Sequence, residues 1–216
     1  QVHVFLSHFH LDHLVGIPMS RMLFDETAEV IFYAQDGERI REAFGQMMSA
    51  PLWPVGPEAF RAKISYRSVG ERPVILDDRS DSRNGIAPVK ISAMQVTHPG
   101  GATAFRADWK DLSMVYATDC DLDGEAVCGL ADFAMATDLL ILDAQYTDAE
   151  YEKCRGFGHS SIRMASQLIE QSRAKRGRLF HHAPDHTDTQ MLELERQLQQ
   201  YQEHISFARE GERIII

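Results

Sequence analysis

The sequence predicts an α/β fold in layers, with helices lying outside a pair of sheets. Three observations carry that expectation. Short β-branched and apolar runs recur along the chain, stretches of helical periodicity are interleaved with them, and several strands follow one another with no helix between. Of 216 residues, 44% are hydrophobic and 25% charged, an ordinary balance for a globular chain that fits one domain over 1–216 better than two.

Val2–Leu6, Val30–Tyr33, Val89–Val96, Leu112–Ala117, Leu139–Leu142 and Arg178–His181 read as strands. In the third, Val89, Ile91, Ala93 and Gln95 alternate with Lys90, Ser92 and Met94, which suits a half-exposed strand. The unbroken Leu139-Leu140-Ile141-Leu142 suits a buried one. Helices are expected at Gly37–Met48, Ser160–Arg173 and Thr189–His204. In the last, Met191, Leu194, Leu198, Tyr201 and Ile205 form one apolar stripe, and Asp188 is the expected N-cap. Ser49–Pro57 and Asp77–Gly85 read as loops, the first from its three prolines, the second from its polar, turn-forming residues.

A net charge of −10 argues against a protein that grips long nucleic acid by its phosphates. Three cysteines, Cys120, Cys128 and Cys154, form no CxxC pair and do not suit a disulfide framework, so a cytoplasmic location is expected. No run approaches the ~20 apolar residues of a membrane span, and no signal peptide is visible. The chain opens at Gln1 directly into an apolar run, from which a missing upstream segment is expected.

Chemistry concentrates in Ser7-His8-Phe9-His10-Leu11-Asp12-His13, directly after the first strand. His8 and His10 alternate, so both rings lie on one side of an extended segment, while Asp12 and His13 follow as the chain turns into a helix. Imidazole nitrogens with a carboxylate suit Zn²⁺, Mn²⁺ or Fe, and one such motif can feed two adjacent ions.

HxHxDH after a strand resembles the metallo-β-lactamase superfamily, the αββα metallohydrolases. Val96-Thr97-His98-Pro99, Tyr116-Ala117-Thr118-Asp119 and Leu179-Phe180-His181-His182 follow in that family's order. The resemblance implies two divalent metal ions, with His8, His10 and His98 on one, Asp12, His13 and His182 on the other, and Asp119 bridging. In an extended strand His181 and His182 face opposite ways, so one alone reaches the metals, and the family's strand-then-His pattern favours His182. Cys120 is left unassigned, since a place beside a ligand does not make a thiolate.

Gly156-Phe157-Gly158-His159-Ser160-Ser161 resembles the HS[ST] motif of the ribonuclease Z and small cyclic phosphodiesterase branch. There the resemblance implies that His159 assists the phosphate, that Asp143 orients His159, and that Asp12 orients the nucleophilic hydroxide bridging the metals. His186, in Pro184-Asp185-His186-Thr187-Asp188, reads equally as a substrate contact or as part of a helix cap. The family's upstream strand pair is absent from this sequence, and a companion chain or an omitted segment is the expected source.

Two divalent ions offset by Asp12 and Asp119 keep about two positive charges, enough to hold a small phosphodiester in an acidic protein. The leading expectation is therefore a dinuclear metal-dependent phosphodiesterase acting on a small or cyclic phosphodiester. Hydrolysis of a thioester, lactone or β-lactam on the same metals is the alternative, and a non-catalytic metal-binding regulatory module is a third. Beyond the substrate, the expected partners are a second copy of the chain or the companion segment, and no membrane.

Overall fold

A computed structural model describes residues 1–76, 87–124 and 126–216. The expected Asp77–Gly85 loop lies outside the described residues. Among those described, no helix is long and apolar enough to cross a membrane. The chain folds as two compact units, Gln1–Arg72 and Pro73–Ile216.

The first unit is built on three parallel strands, β1 (Val2–Phe5), β2 (Glu29–Ala34) and β3 (Lys63–Ser68), in the order β1-β2-β3. Every residue from Val30 to Ala34 is buried, as expected for a β-branched and aromatic strand covered on both faces. The short helix α1 (Leu11–Leu14) follows β1. Helix α2 (Gly37–Met47) follows β2 and is capped by Asp36, whose Oδ1 accepts from the Glu38 N–H at 3.0 Å. Ile40 and Phe44, one turn apart on α2, join Leu14, Leu23, Val30 and Phe32 in a single core.

The second unit holds a sheet whose described strands run β10-β9-β8-β7-β6-β5-β4, with β4 Val74–Leu76, β5 Val89–Val96, β6 Ala102–Trp109, β7 Leu112–Ala117, β8 Leu139–Asp143, β9 Gly177–Phe180 and β10 Ile205–Phe207. β6 is antiparallel to both β5 and β7, so β5 and β7 run the same way. β7, β8, β9 and β10 are parallel neighbours. The carboxyl ends of β5, β7, β8 and β9 therefore share one end of the sheet, where loops carry chemistry in open α/β sheets.

Helices α3 (Ala126–Phe133), α4 (Asp148–Cys154), α5 (Ile162–Ser172) and α6 (Asp188–Gln199) connect the parallel strands, as parallel pairing requires. Val115, Leu140, Leu142 and Leu179 from the strands meet Leu130, Leu168 and Ile169 from α3 and α5 in the core.

The last helix departs from expectation at both ends. Its N-cap is Thr187, which forms a capping box with Gln190. The helix stops at Gln199, so the apolar stripe ends with Leu198. Tyr201 is 87% exposed, and Ile205 is buried at the start of β10.

Candidate metal centre

Within the first unit, β1 leads through Leu6 and Ser7 into the cluster. His8 is buried, and its ring lies edge-on to His10 at 4.5 Å and tilted against His13 at 4.3 Å. The His8 ring nitrogen Nδ1 is 3.0 Å from Ser7 Oγ. His10 stands at the N-cap of α1 in extended backbone, where its side chain makes no capping bond. Asp12 and His13 sit inside that one-turn helix, with Asp12 Oδ2 3.3 Å from His13 Nε2. Three imidazoles and a carboxylate from six residues are thus gathered at the end of one strand.

Within the second unit, four strand ends supply the side chains. His98 lies two residues past β5, Asp119 two past β7, Asp143 ends β8, and His181 directly follows β9. His98, Asp119 and His159 bring one donor atom each within 4.8 Å of one another, as do Asp143, His159 and His181. Asp119 is 2% exposed, with His98 Nε2 4.0 Å and His181 Nδ1 3.5 Å from its two oxygens. The Thr118 hydroxyl donates to Asp119 Oδ1 at 2.7 Å. Asp119 and His181 both adopt left-handed backbone, φ 53° and 61°, and such strained positions cluster at functional sites.

That backbone corrects the expectation for His182. β9 ends at Phe180, and the left-handed turn at His181 breaks the strict alternation assumed for a continuing strand. His181 consequently faces Asp119 and stacks on the His159 ring at 4.9 Å. The His182 Nδ1–H instead donates to the Ala144 carbonyl at 3.0 Å, and its ring packs 4.5 Å from Phe207. Burial holds His182 below the ordinary imidazole range.

His159 Nδ1 is 2.8 Å from Asp143 Oδ2, and the Ser160 N–H donates to Asp143 Oδ1, also at 2.8 Å. Burial pushes the Asp143 carboxyl up, while the hydrogen bond from His159 pulls it back. Tyr146 presents its ring edge-on to His159 at 6.2 Å; burial, with Cys154 beside it, pushes its phenol up to about 12. Cys120 is buried with its thiol pushed well up by desolvation, so it is no ready thiolate.

His186 is held elsewhere. Its Nε2 is 3.0 Å from both oxygens of Glu150, the residue whose carboxylate closes the capping box of α4. It belongs neither to the two donor groups above nor to the cap of α6. The basic run at 173–178 is structural in large part. Arg173 ends α5 in left-handed backbone, Lys175 binds Asp138 at 2.7 Å, and Arg178 binds Glu212 at 3.1 Å.

A divalent ion fits this donor chemistry. The His98 Nδ1–H must donate to the Gly158 carbonyl, 2.8 Å away, which leaves the Nε2 lone pair directed to the Asp119 side. A buried carboxylate beside imidazole nitrogens, their donor atoms within 4.8 Å of one another, is a set that suits a divalent cation.

Comparison with known proteins agrees with this chemistry. A family model described as a beta-lactamase superfamily domain matches residues 2–182. A ribonuclease Z of Thermoplasma acidophilum is 40% identical over 238 aligned positions, spanning 93% of this chain and 75% of that protein. The short form of human tRNase Z superposes with a TM-score of 0.63 at 22% identity, covering 99% of this chain and 78% of the other. A diphosphatase of the PhnP family does so at 0.68 and 18%, covering 99% and 71%.

Proposed function

The chain belongs to the β-lactamase superfamily and is a metal-dependent hydrolase with that family's fold, and from this premise we propose that it cleaves a phosphodiester on two divalent cations, zinc or manganese. On this reading His8, His10, Asp12 and His13 of the first unit and His98, Asp119 and His181 of the second would supply the ligands. When bound, the ions supply positive charge opposite the phosphoryl oxygens and acidify the attacking water.

The observation that carries the phosphodiester reading is the His159–Asp143 pair, 2.8 Å apart beside Asp119 and His98. Asp143 accepts the Nδ1 proton and fixes the ring. Carrying a proton on Nε2 as well, His159 would donate it to a phosphoryl oxygen or to the departing alkoxide. Asp143 is fully buried and also accepts from the Ser160 N–H, so the ring has a rigid support.

The experiment is hydrolysis of bis(p-nitrophenyl) phosphate by His159→Ala. We expect retained metal and a rate lower by about 10²- to 10⁴-fold, the usual worth of a positioned acid. Unchanged turnover defeats the assignment. A thioester and a lactone assayed alongside test the carboxylic-ester alternative.

One observation favours a more specific reading in which the ester belongs to RNA: the relative at 40% identity is a ribonuclease Z. Against it stand the charge of −10 and the engagement of Lys175 and Arg178 with acidic neighbours. Cleavage of RNA with a kcat/KM above that for a cyclic dinucleotide selects the RNA reading.

A further inference from the structure

We infer that Gly158 is a positioning residue for His98, setting both its tautomer and its place beside Asp119. The inference rests on the metal-binding reading of His98. Gly158 sits at φ +93°, a conformation L side chains rarely adopt. A Cβ built there would lie 2.2 Å from Pro99 Cδ and 2.4 Å from His98 Nδ1, closer than real contacts allow. The absent side chain lets the Gly158 carbonyl come within 2.8 Å of His98 Nδ1.

The two residues that follow Gly158 tie the rest of the site. His159 and the Ser160 N–H grip Asp143, and Ser160 Oγ donates to the carbonyl of Cys120, next to Asp119, at 2.6 Å. Gly158 thus links the lone histidine past β5 to the histidine that faces the substrate on the proposed reading. A backbone carbonyl accepting from a ligand histidine fixes its free nitrogen and ring plane, and loss of such support typically costs about 10- to 100-fold in metal affinity.

Gly156 supplies the control. It is also at positive φ, +83°, but a Cβ there meets nothing within 4 Å. Both Gly→Ala changes introduce backbone strain, and Gly158→Ala alone displaces His98. The experiment measures Zn²⁺ dissociation constants by competition, together with the Co²⁺ visible spectrum, for wild type, Gly156→Ala, Gly158→Ala and His98→Ala. Gly158→Ala is expected to bind about 10- to 100-fold more weakly with an altered Co²⁺ spectrum, while Gly156→Ala stays near wild type.

Equal weakening in both glycine variants, or none in either, overturns the inference. Wild-type affinity in His98→Ala overturns instead the ligand role of His98, so the two failures are distinct. Should Gly158→Ala not fold, ¹⁵N-resolved NMR of the metal-free wild type decides, with the His98 signals identified by their loss in His98→Gln. A proton on His98 Nδ1 supports the inference, and one on Nε2 alone overturns it.

Discussion

His181 and His182 are adjacent, chemically identical and opposite in fate. His181 faces Asp119 at 3.5 Å from a left-handed backbone, whereas His182 gives its Nδ1 proton to Ala144 and packs on Phe207. Substitution separates the two. Isothermal titration with Zn²⁺ is expected to show one binding event weakened by at least about tenfold in His181→Ala, since a ligand is lost outright. His182→Phe is expected to bind as wild type and to show its effect in stability alone. The reverse pattern restores His182 as the ligand. Nothing in the local sequence marks this difference, because a side chain's direction past the end of a strand depends on one backbone torsion. His98 and Asp119 were more legible, each standing two residues beyond a strand whose β-branched pattern is plain.

At the scale of elements, strands β7 and β9 are tied outside the site by one carboxylate. Asp138 accepts from the Ser113 N–H, near the start of β7, at 2.8 Å, and from Lys175, just before β9, at 2.7 Å. The Lys175 ammonium and the Ser113 N–H hold the Asp138 carboxyl below its ordinary value. The folded state thus favours the ionised form. Its contribution is fully present above the unfolded value of ~3.9 and is lost as pH falls through the lower, folded one. Asp138→Asn is expected to lower the melting temperature at neutral pH and to flatten its decline in acid, below the ordinary carboxylate value. Lys175 is largely exposed, so added salt weakens that half of the link. An unchanged slope in acid would remove Asp138 as its source.

The regular elements were foreseen where period and length agree, as in β5, β7 and α2. Strands β3, β4, β6 and β10 were missed, as were helices α3 and α4. Ala102–Trp109 mixes small and charged residues and gains its strand character from pairing between β5 and β7. Ile205, the first residue of β10, was counted with the last helix because it continues the apolar stripe by accident of spacing.

For the whole molecule, a charge of −10 and a relative that is a ribonuclease Z pull in different directions, and ionic strength separates them. An enzyme reading many phosphates through basic side chains loses affinity steeply with salt, whereas one holding a single phosphodiester at a metal centre does so weakly. We expect KM for the preferred substrate to rise less than about tenfold between 50 and 200 mM KCl; a rise of about 10³-fold or more would indicate an extended nucleic-acid contact.

The sequence by itself determined the α/β class, the family and the types of donor atom, because these depend on residue identity and short-range spacing. His8 to His13 cluster through a single strand end and one helical turn. Tertiary structure alone decided which late histidine turns inward and that Gly158 reaches His98 across 60 positions. Those contacts rest on sheet order and on left-handed backbone at single residues, neither of which any periodicity encodes.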